Sequence, residues 1–234
     1  MTLRVAITRA MPDAERTAER VRAYGADPVL APLLTIIPCG YDTSTEGAQA
    51  LIFTSSNGVR AFPDRRGARD KIVLTVGEAT GEAARAAGFA DVRTAGGDVR
   101  ALAELIKTSL DPGAGNLVHV RGTHVAGDLA AELAGGGFKI ECRIAYTAVA
   151  VPELPVALLG PLDLILFHSP RAAATFRAFG APGSGDLACA CLSPAVAAAA
   201  GSAWKRVIVA PAPRESALLE AALGFTGSPA GASA

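Results

Sequence analysis

The chain has 234 residues, half of them hydrophobic, with 22 basic and 22 acidic side chains. This length and hydrophobic content allow two domains with buried cores and exclude an intrinsically disordered chain. The balanced charge gives no general reason to expect a nucleic acid or an anionic membrane as partner, so local features would have to hold an anionic ligand. The longest apolar run, residues 154–167, is interrupted by Pro161 and Asp163 and is too short to span a bilayer as a helix.

The cysteines and the two chain ends bear on the cellular compartment. None of the four cysteines has CxxC spacing, and Cys189 and Cys191 alternate in a strand-like apolar run where small buried thiols are common. The first residues enter a strand directly and lack the apolar region of a signal peptide. We therefore expect a cytoplasmic protein, with a disordered low-complexity tail at 224–234.

The first 37 residues predict one β-α-β unit. An apolar strand at 3–7 ends at Thr8 and Arg9, a helical pattern runs from 12 to 24, and extended structure resumes at 28–37. A crossover helix between two such strands implies that the strands are parallel.

The rest of the chain continues this alternation of strands and helices. The predicted elements are a strand at 51–54, a short helix to 62, strands at 72–76 and 92–94, a helix at 99–110, a strand at 117–120, a helix at 128–134, a strand at 138–143 and an extended run at 144–151, followed by strands and helices of the same kind to 223. Such alternation predicts an α/β fold with two parallel sheets that carry helices on both faces.

The sequence also contains an internal repeat. Phe53 aligns with Phe167 and Phe89 with Trp204 when the two halves are superimposed. Three pairs of segments recur in the same order, namely 4–36 with 117–149, 51–62 with 165–176, and 72–105 with 187–223. A tandem of this kind predicts two similar lobes with a groove between them.

Polar turns that follow apolar strands are the candidate ligand-binding features. Each is predicted to lie directly before a helix, where free backbone N–H groups and the helix dipole favour an anion. Helix capping alone also explains each serine of these turns, so the evidence for a ligand site is that the same kind of turn recurs. The turns are Ser55-Ser56-Asn57-Gly58, Gly77-Glu78-Ala79-Thr80, Arg121-Gly122-Thr123, Ser169-Pro170-Arg171 and Ser193-Pro194.

Other catalytic patterns are missing from the sequence. It contains no GxGxxG between a strand and a helix, and no GxSxG, GxxxxGK[ST] or HExxH. The three histidines form no pattern, and His168 is interpreted as a half-buried structural residue and not as a base. We expect any reaction here to need neither a metal nor a cofactor.

An ordered set of short motifs resembles the uroporphyrinogen-III synthase family over about residues 3–223. The motifs are VAITRA, LIFTSSNGVRAF, TVGEATGEAARAAGF, GGDVRALAELI, LVHVRG, IAYTAV, ILFHSPRAAATF and the segment from APRES to the last helix. The resemblance implies two α/β lobes joined by a two-stranded β linker. On this sequence the expected bounds are 1–37 plus 150–234 for the first lobe, 38–143 for the second, and 144–149 for the linker strand.

The resemblance further implies a lyase of haem biosynthesis that cyclises hydroxymethylbilane, a linear tetrapyrrole with eight carboxylates, to uroporphyrinogen III. Water is lost and the terminal ring D is inverted. Pyrrole nitrogens can expel the hydroxyl themselves, so the protein's task would be largely geometric. The implied protein is a monomer without cofactors that makes, at most, a transient contact with hydroxymethylbilane synthase.

The same resemblance implies the roles of individual residues. Tyr146 aligns with a linker tyrosine and is the catalytic candidate, as a phenol that donates to the leaving hydroxyl. The substrate-binding candidates are Thr8, Arg9, Ser55, Ser56, Asn57, Gly77, Thr80, Arg121, Gly122, Ser169 and Ser193. Where the family often has two threonines, this chain has Ser193-Pro194-Ala195-Val196, and the turn at 123–127 also departs from the family pattern.

Two alternatives stay open at this point. A two-lobed protein could close on a small anion without reacting, or a domain of a haem-pathway assembly could have lost its activity, as the altered turn at 193–196 would permit. Formation of the type III isomer from hydroxymethylbilane separates both from the enzyme.

Overall fold

A computed structural model of the chain describes residues 2–63, 67–125 and 127–224. Spatial proximity divides the chain into two compact units, unit 1 with residues 1–35 and 149–234 and unit 2 with residues 36–148. The domain bounds expected from the sequence stay a prediction. Residues 225–234 of the expected disordered tail lie outside the described residues.

Unit 1 is a parallel sheet with helices between its strands. Its elements are β1 (Arg4–Ile7), α1 (Asp13–Ala23), β2 (Asp27–Leu30), β9 (Leu164–Phe167), α6 (Pro170–Ala178), β10 (Ala188–Cys191), α7 (Pro194–Ala200), β11 (Arg206–Val209) and α8 (Glu215–Leu223), with a 3₁₀ turn at Val156–Leu159. The strands lie in the order β11-β10-β9-β1-β2, and every pair is parallel.

Unit 2 has the same kind of sheet. Its elements are β4 (Ala48–Phe53), α2 (Ser56–Arg60), β5 (Ile72–Thr75), α3 (Glu78–Ala86), β6 (Asp91–Thr94), α4 (Val99–Ser109), β7 (Asn116–Gly122), α5 (Leu129–Leu133) and β8 (Ile140–Ala150), with a 3₁₀ turn at Ala134–Gly136. The strand order is β3-β8-β7-β4-β5-β6, where β3 is Leu34–Pro38. The predicted α/β class with two parallel sheets is therefore confirmed.

The internal repeat appears as a repeated topology. Without β3, the order β6-β5-β4-β7-β8 of unit 2 matches the order β11-β10-β9-β1-β2 of unit 1 strand for strand. In both units the earlier and later segments of the chain wind outward from two adjacent central strands. The paired segments of the internal repeat thus form corresponding strands in the two sheets.

Each unit also has a matching aromatic cluster in its core. In unit 1, Phe167, Phe176 and Trp204 have ring centroids 5.6 to 5.8 Å apart. In unit 2 the three phenylalanines at the equivalent positions, 53, 62 and 89, lie 5.9 to 6.2 Å apart. These rings are buried between a strand and the helices on one face of each sheet. A shared packing solution of this kind is what a duplicated α/β unit predicts.

Two strands pass from one unit's residues to the other's. Residues Leu34–Pro38 of β3 and Ile140–Ala150 of β8 both span the division. The Cys39 N–H donates to the Ala145 carbonyl at 2.8 Å and the Val151 N–H to the Leu33 carbonyl at 3.1 Å. Residue numbers rise along β3 as those of their partners fall along β8, so these two strands are antiparallel. β3 and β8 therefore form a two-stranded antiparallel pair, while the linker strand expected at 144–149 stays a prediction.

Two details of the predicted strands are wrong. Residues 28–37 form two strands that are separated at 31–33, because Pro32 interrupts the extended run there. One long strand, Ile140–Ala150, replaces the predicted strand at 138–143 and separate extended run at 144–151, since neither glycine nor proline interrupts that stretch.

Both sheets bury their strands on two faces. All four residues of β9 are buried, and five of the six residues of β4 are. Leu102, Ala103 and Ile106 of α4 pack on one face of the unit 2 sheet, whereas Val59 of α2 packs on the other. Within the described residues, no helix is both long and apolar enough to cross a membrane.

Candidate active site

The topology identifies one place in each sheet where a ligand is expected. The chain winds outward in both directions from the β1–β9 pair of unit 1 and from the β4–β7 pair of unit 2. In open parallel sheets, such a reversal of strand order leaves a crevice beyond the carboxyl ends of the two strands. We call these places the unit 1 and unit 2 switch points. Thr8 and His168 follow the strands at the first, whereas Thr54 follows β4 and Arg121 lies near the end of β7 at the second.

Polar side chains of unit 1 meet at its switch point around one carboxylate. Glu215 begins α8, and its Oε1 accepts hydrogen bonds from Arg9 Nη1 at 2.9 Å and from Thr17 Oγ1 at 2.5 Å. His168 Nε2 lies 3.0 Å from the same oxygen, and Arg20 Nη1 lies 2.6 Å from Oε2. The Glu215 side chain is only 9% exposed, so this carboxylate is both buried and fully paired.

The protonation states in this cluster follow from burial and pairing. Burial opposes ionisation of Glu215, but hydrogen bonds and the charge of Arg9 hold the pKa of its carboxyl well below the usual range. Burial lowers the pKa of His168 and outweighs its hydrogen bond to Glu215. The ring is therefore neutral and donates through Nε2–H. Its Nδ1, which finds no hydrogen-bond partner within the described residues, is then the unprotonated nitrogen.

The predicted unit 1 residues turn towards the protein. Thr8 is fully buried, and its hydroxyl donates to the Leu166 carbonyl at 2.7 Å. Arg9 contacts the carboxylates of Glu215 and Asp13, the latter at 3.4 Å. These contacts stabilise the switch point itself, while the predicted role of Thr8 and Arg9 in substrate binding stays a prediction.

Ser169 and Ser193 are N-caps of the helices that follow them. Ser169 Oγ accepts from the Ala172 N–H at 3.2 Å, and Ser193 Oγ accepts from the Val196 N–H at 3.4 Å. Both helices start with proline, as the sequence predicts. The first turns of α6 and α7 accordingly sit at the carboxyl ends of β9 and β10, with their serine side chains engaged in capping.

The corresponding turn of unit 2 is held by side chains from within α2. Ser55 Oγ accepts from the Asn57 N–H at 3.2 Å, which caps the helix. Arg60 Nη2 donates to Asn57 Oδ1 at 2.5 Å and to Ser56 Oγ at 3.3 Å. The three predicted residues therefore form one ordered helix start directly after β4.

Gly77 and Thr80 lie at the start of α3. Gly77 is the N-cap residue with an extended backbone, and Thr80 stands in the first turn with 6% of its surface exposed. The Thr80 N–H donates to the Gly77 carbonyl at 3.0 Å. The sequence places these two residues correctly at a helix start, but the Thr80 side chain is largely enclosed.

Arg121 and Gly122 do not precede a helix, contrary to the prediction for their turn. Both belong to β7, and the next helix begins only at Leu129 with Asp128 as its N-cap. The β strand continues because Gly122 pairs with Tyr146 on β8, across a register shift after Arg121. This turn therefore does not present the free backbone N–H groups of a helix start.

The Tyr146 ring lies directly over Gly122. A Cβ atom on Gly122 would come within 2.7 Å of Cε2 and Cζ of the ring and 3.1 Å of its hydroxyl oxygen. The Thr123 N–H donates to the Tyr146 carbonyl at 3.0 Å, which fixes the backbone there. Tyr146 is 8% exposed and packs at the edge of the aromatic core of unit 2. The phenol is thus held at the carboxyl end of β7, and only glycine at 122 leaves room for it.

A pocket of about 220 Å³ lies at the unit 2 switch point. Its floor comes from neighbouring strands, because His119 pairs with Ile52 on β4 and with Cys142 on β8. The pocket is lined by Thr54, Val99, His119, Arg121, Val125, Gly127, Asp128, Leu129, Ala130 and Cys142. The N-terminal ends of α4 and α5 contribute its apolar wall.

The positive charge in this pocket comes from Arg121. Burial, and then the charge of Arg121, lower the pKa of His119 to about 4, so its ring is neutral at pH 7. His119 Nε2 lies 3.1 Å from Thr54 Oγ1. The Nε atom of Arg121 is buried and has no hydrogen-bond partner among the described residues. A buried guanidinium N–H without an acceptor can be satisfied by an anionic oxygen.

The comparisons with known proteins agree with this architecture. The profile of the family described as uroporphyrinogen-III synthase HemD matches residues 15–220. The chain belongs to the uroporphyrinogen-III synthase family. That is a family of lyases of porphyrin and haem biosynthesis, and the resemblance read from the sequence is confirmed.

Solved structures of the family share the fold. The uroporphyrinogen-III synthetase of Helicobacter pylori is 16% identical, with a TM-score of 0.63 over 96% of this chain and 100% of that chain. A mutant uroporphyrinogen III synthase of the extremely thermophilic bacterium Thermus thermophilus is 18% identical, with a TM-score of 0.56 over 96% of this chain and 98% of that chain. The comparison with curated proteins gave no match.

Sequence reasoning missed several residues of the two switch points. The sequence pattern identifies Glu215 only as part of a motif, although the helix dipole favours an acidic residue in the first turn of a helix. Thr54 and His119 were interpreted as strand residues, because their contact depends on the pairing of β4 with β7. Within the described residues, no group of three or more His, Cys, Asp or Glu side chains could hold a metal ion.

Proposed function

We propose that this chain closes hydroxymethylbilane to uroporphyrinogen III, with loss of water and inversion of ring D. The single observation that carries the proposal is the family match over residues 15–220. Polar strand-end turns at the switch points of both sheets support it, because a substrate with eight carboxylates needs several separate donors. The reacting cation forms from the substrate's own pyrrole electrons, so the protein contributes position and electrostatics.

Tyr146 is the proposed donor to the leaving hydroxyl. A phenol is protonated at pH 7 and can donate a hydrogen bond or a proton. Its ring is clamped over Gly122 at the carboxyl end of β7, so the donor is held in one orientation. Such rigidity helps in a reaction where the competing ring closure differs only in geometry.

The proposed substrate-binding residues lie in the last residues of strands or in the turns and helix starts that follow them. In unit 1 they are Thr8, Arg9, Ser169 and Ser193, and in unit 2 they are Ser55, Ser56, Asn57, Gly77, Thr80, Arg121 and Gly122. The serine side chains already serve as caps, so the backbone N–H groups of their helix starts are the donors that we assign to the carboxylates.

The setting of the enzyme is also part of the proposal. We propose a monomer that acts in the cytoplasm without a cofactor and that receives its unstable substrate by transient contact with hydroxymethylbilane synthase. Sedimentation of the purified chain, alone and mixed with that synthase, tests this part. A stable oligomer of the chain alone would contradict it.

One assay tests the reaction. Hydroxymethylbilane is supplied to the purified chain, and the type III and type I uroporphyrinogens are separated by chromatography after oxidation. The proposal predicts type III as the main product, with type I alone in a heat-denatured control. Type I alone in both samples would contradict the proposal and leave a binding protein or an inactive domain.

A further inference from the structure

The pocket at the unit 2 switch point contains Arg121, which is a proposed substrate-binding residue, together with neighbours to which the proposed function gives no role. It combines one buried guanidinium N–H that lacks an acceptor within the described residues, a hydroxyl from Thr54 and an apolar wall. At about 220 Å³ it falls short of the roughly 300–1,000 Å³ of sites that enclose drug-sized molecules. A whole tetrapyrrole cannot enter it, whereas a short chain that ends in a carboxylate can.

The strand register explains why the polar groups converge. Leu117, His119 and Arg121 alternate along β7 and face the α4–α5 side of the sheet, as their core and pocket neighbours indicate. Phe53 pairs with Val120, so the residues that follow, Thr54 and Arg121, lie side by side at the carboxyl ends of their strands. The pocket is therefore built by the sheet and is not an accident of loop conformation.

Hydrogen bonding leaves donors free for an anion. In the tautomer protonated at Nε2, His119 donates to Thr54 Oγ1, and the Thr54 hydroxyl keeps its own proton for a further acceptor. The neutral histidine adds no charge, so Arg121 alone sets the preference for an anion. Val99 and Leu129 line the side wall and suit the methylene groups of a carboxylate arm.

One acidic group also lines this pocket. Asp128 is exposed, and its Oδ1 accepts the Ala131 N–H at 3.1 Å as the N-cap of α5. Its negative charge weakens the attraction of the pocket for an anion, but it stands in solvent whereas the Arg121 Nε is buried. Asp128→Asn keeps the capping oxygen, because asparagine caps helices as well as aspartate does.

We propose that this pocket anchors one carboxylate arm of the tetrapyrrole, with the carboxylate held by Arg121 and the Thr54 hydroxyl. The inference rests on the proposed function and deepens it by naming a subsite and two residues, Thr54 and His119, that were not assigned before. The anchor contributes equally to substrate and transition state. It therefore acts on KM and leaves turnover and the isomer ratio nearly unchanged.

The kinetic test uses the full chain after its type III activity has been established. Arg121→Gln is expected to raise KM for hydroxymethylbilane about 10-fold, since a charged hydrogen bond is lost, with kcat within about 2-fold. The KM of Arg121→Lys should lie between those of the wild type and Arg121→Gln. Asp128→Asn should lower KM. Arg93→Gln is the matched control, because it removes the same charge at a partly exposed pair with Asp91 in unit 2 and should leave KM unchanged.

A binding test does not depend on activity. Cys142 is an exposed thiol that lines the pocket, so occupation should slow its alkylation by N-ethylmaleimide, read by peptide mass spectrometry. We expect millimolar propionate to protect Cys142 about 2-fold or more in the wild type and not in Arg121→Gln, with 1-propanol without effect in both. Protection that survives in Arg121→Gln, or an unchanged KM in that variant, would overturn the proposal. Wild-type production of type I alone would instead overturn the proposed function.

Discussion

The two switch points occupy the same place in matching sheets, but their polar groups differ in whether they are paired within the protein. In unit 1, Thr8 donates inward to a strand carbonyl and Arg9 is paired with Glu215. In unit 2, Arg121 stands in the place of Arg9, because His119 pairs with Ile52 as Ile7 pairs with Leu166. The Nε of Arg121 has no acceptor among the described residues, and Arg121 lines an open pocket. In unit 1 the protein's own carboxylate, Glu215, pairs with the cation, whereas the Nε of Arg121 in unit 2 has no such partner among the described residues.

This difference shows what a buried carboxylate does in such a crevice. Glu215 supplies in unit 1 the negative charge that a substrate arm would supply in unit 2. Loss of a fully paired buried carboxylate destabilises the fold, because it leaves the buried charges of its partners uncompensated. An unpaired buried donor costs stability and binds a ligand. The variants below test the contrast, from the largest expected effect to the smallest.

Removal of the Glu215 charge should have the largest effect. Glu215→Gln removes the negative charge that Arg9 and Arg20 contact, and loss of one partner of a buried ionic cluster costs about 3 kcal/mol. We expect the free energy of unfolding in urea to fall by that amount. Glu220→Gln, an exposed position of the same helix, should be neutral. Equal stability of the two variants would show that the cluster does not stabilise unit 1.

Loss of the Tyr146 hydroxyl should affect the reaction more than the fold. Tyr146→Phe keeps the ring over Gly122 and removes the proposed donor, so kcat should fall about 100-fold while the midpoint of urea unfolding changes little. Tyr24→Phe, at an exposed position, serves as the control. An unchanged kcat in Tyr146→Phe would remove its assigned role.

Acid should destabilise unit 2 through His119. Its folded-state pKa of about 4 lies below the unfolded value of about 6.5, so the unfolded state binds the proton first as the pH falls. The stability that the neutral ring contributes is present above pH 6.5 and is lost towards pH 4, by about 2 kcal/mol at pH 4.5. Urea unfolding of His119→Gln between pH 7 and 4.5 should show a smaller loss than the wild type. The exposed His124→Gln should match the wild type, and identical curves for all three would contradict the account.

The buried hydroxyl of Thr8 should have the smallest effect. Thr8→Val has nearly the same shape and removes the hydrogen bond to the Leu166 carbonyl, which should cost about 1 kcal/mol of unfolding free energy. Because this hydroxyl faces the protein, KM should change less than in Thr54→Val at the unit 2 pocket. A larger change of KM in Thr8→Val would reverse the contrast between the switch points.

Local patterns were sufficient for much of the fold. Apolar runs and helix-start residues placed the strands and the caps at Ser55, Ser169 and Ser193 correctly, since both depend on neighbours in the sequence. The aligned pair Phe53 and Phe167 predicted the repeated core, because core aromatics keep their place when a unit is duplicated.

Contacts between residues far apart in the chain could not be predicted from these local patterns. The ion pair of Arg9 with Glu215 joins residues 206 positions apart, and no periodicity encodes it. The hydrogen bond of His119 with Thr54 depends on the register between two strands that are not consecutive in the chain. Glycine after Arg121 suggested a turn, whereas Gly122 remains in a strand to seat the Tyr146 ring.

The isomer composition of the product, measured as the concentration of enzyme is raised, tests the central claim most directly. Spontaneous closure competes with the enzyme for hydroxymethylbilane, so an enzyme that directs ring D should raise the type III fraction with each addition until type I almost disappears. We predict this approach to complete type III formation for the wild-type chain. A type I fraction that stays constant at every enzyme concentration would contradict the account.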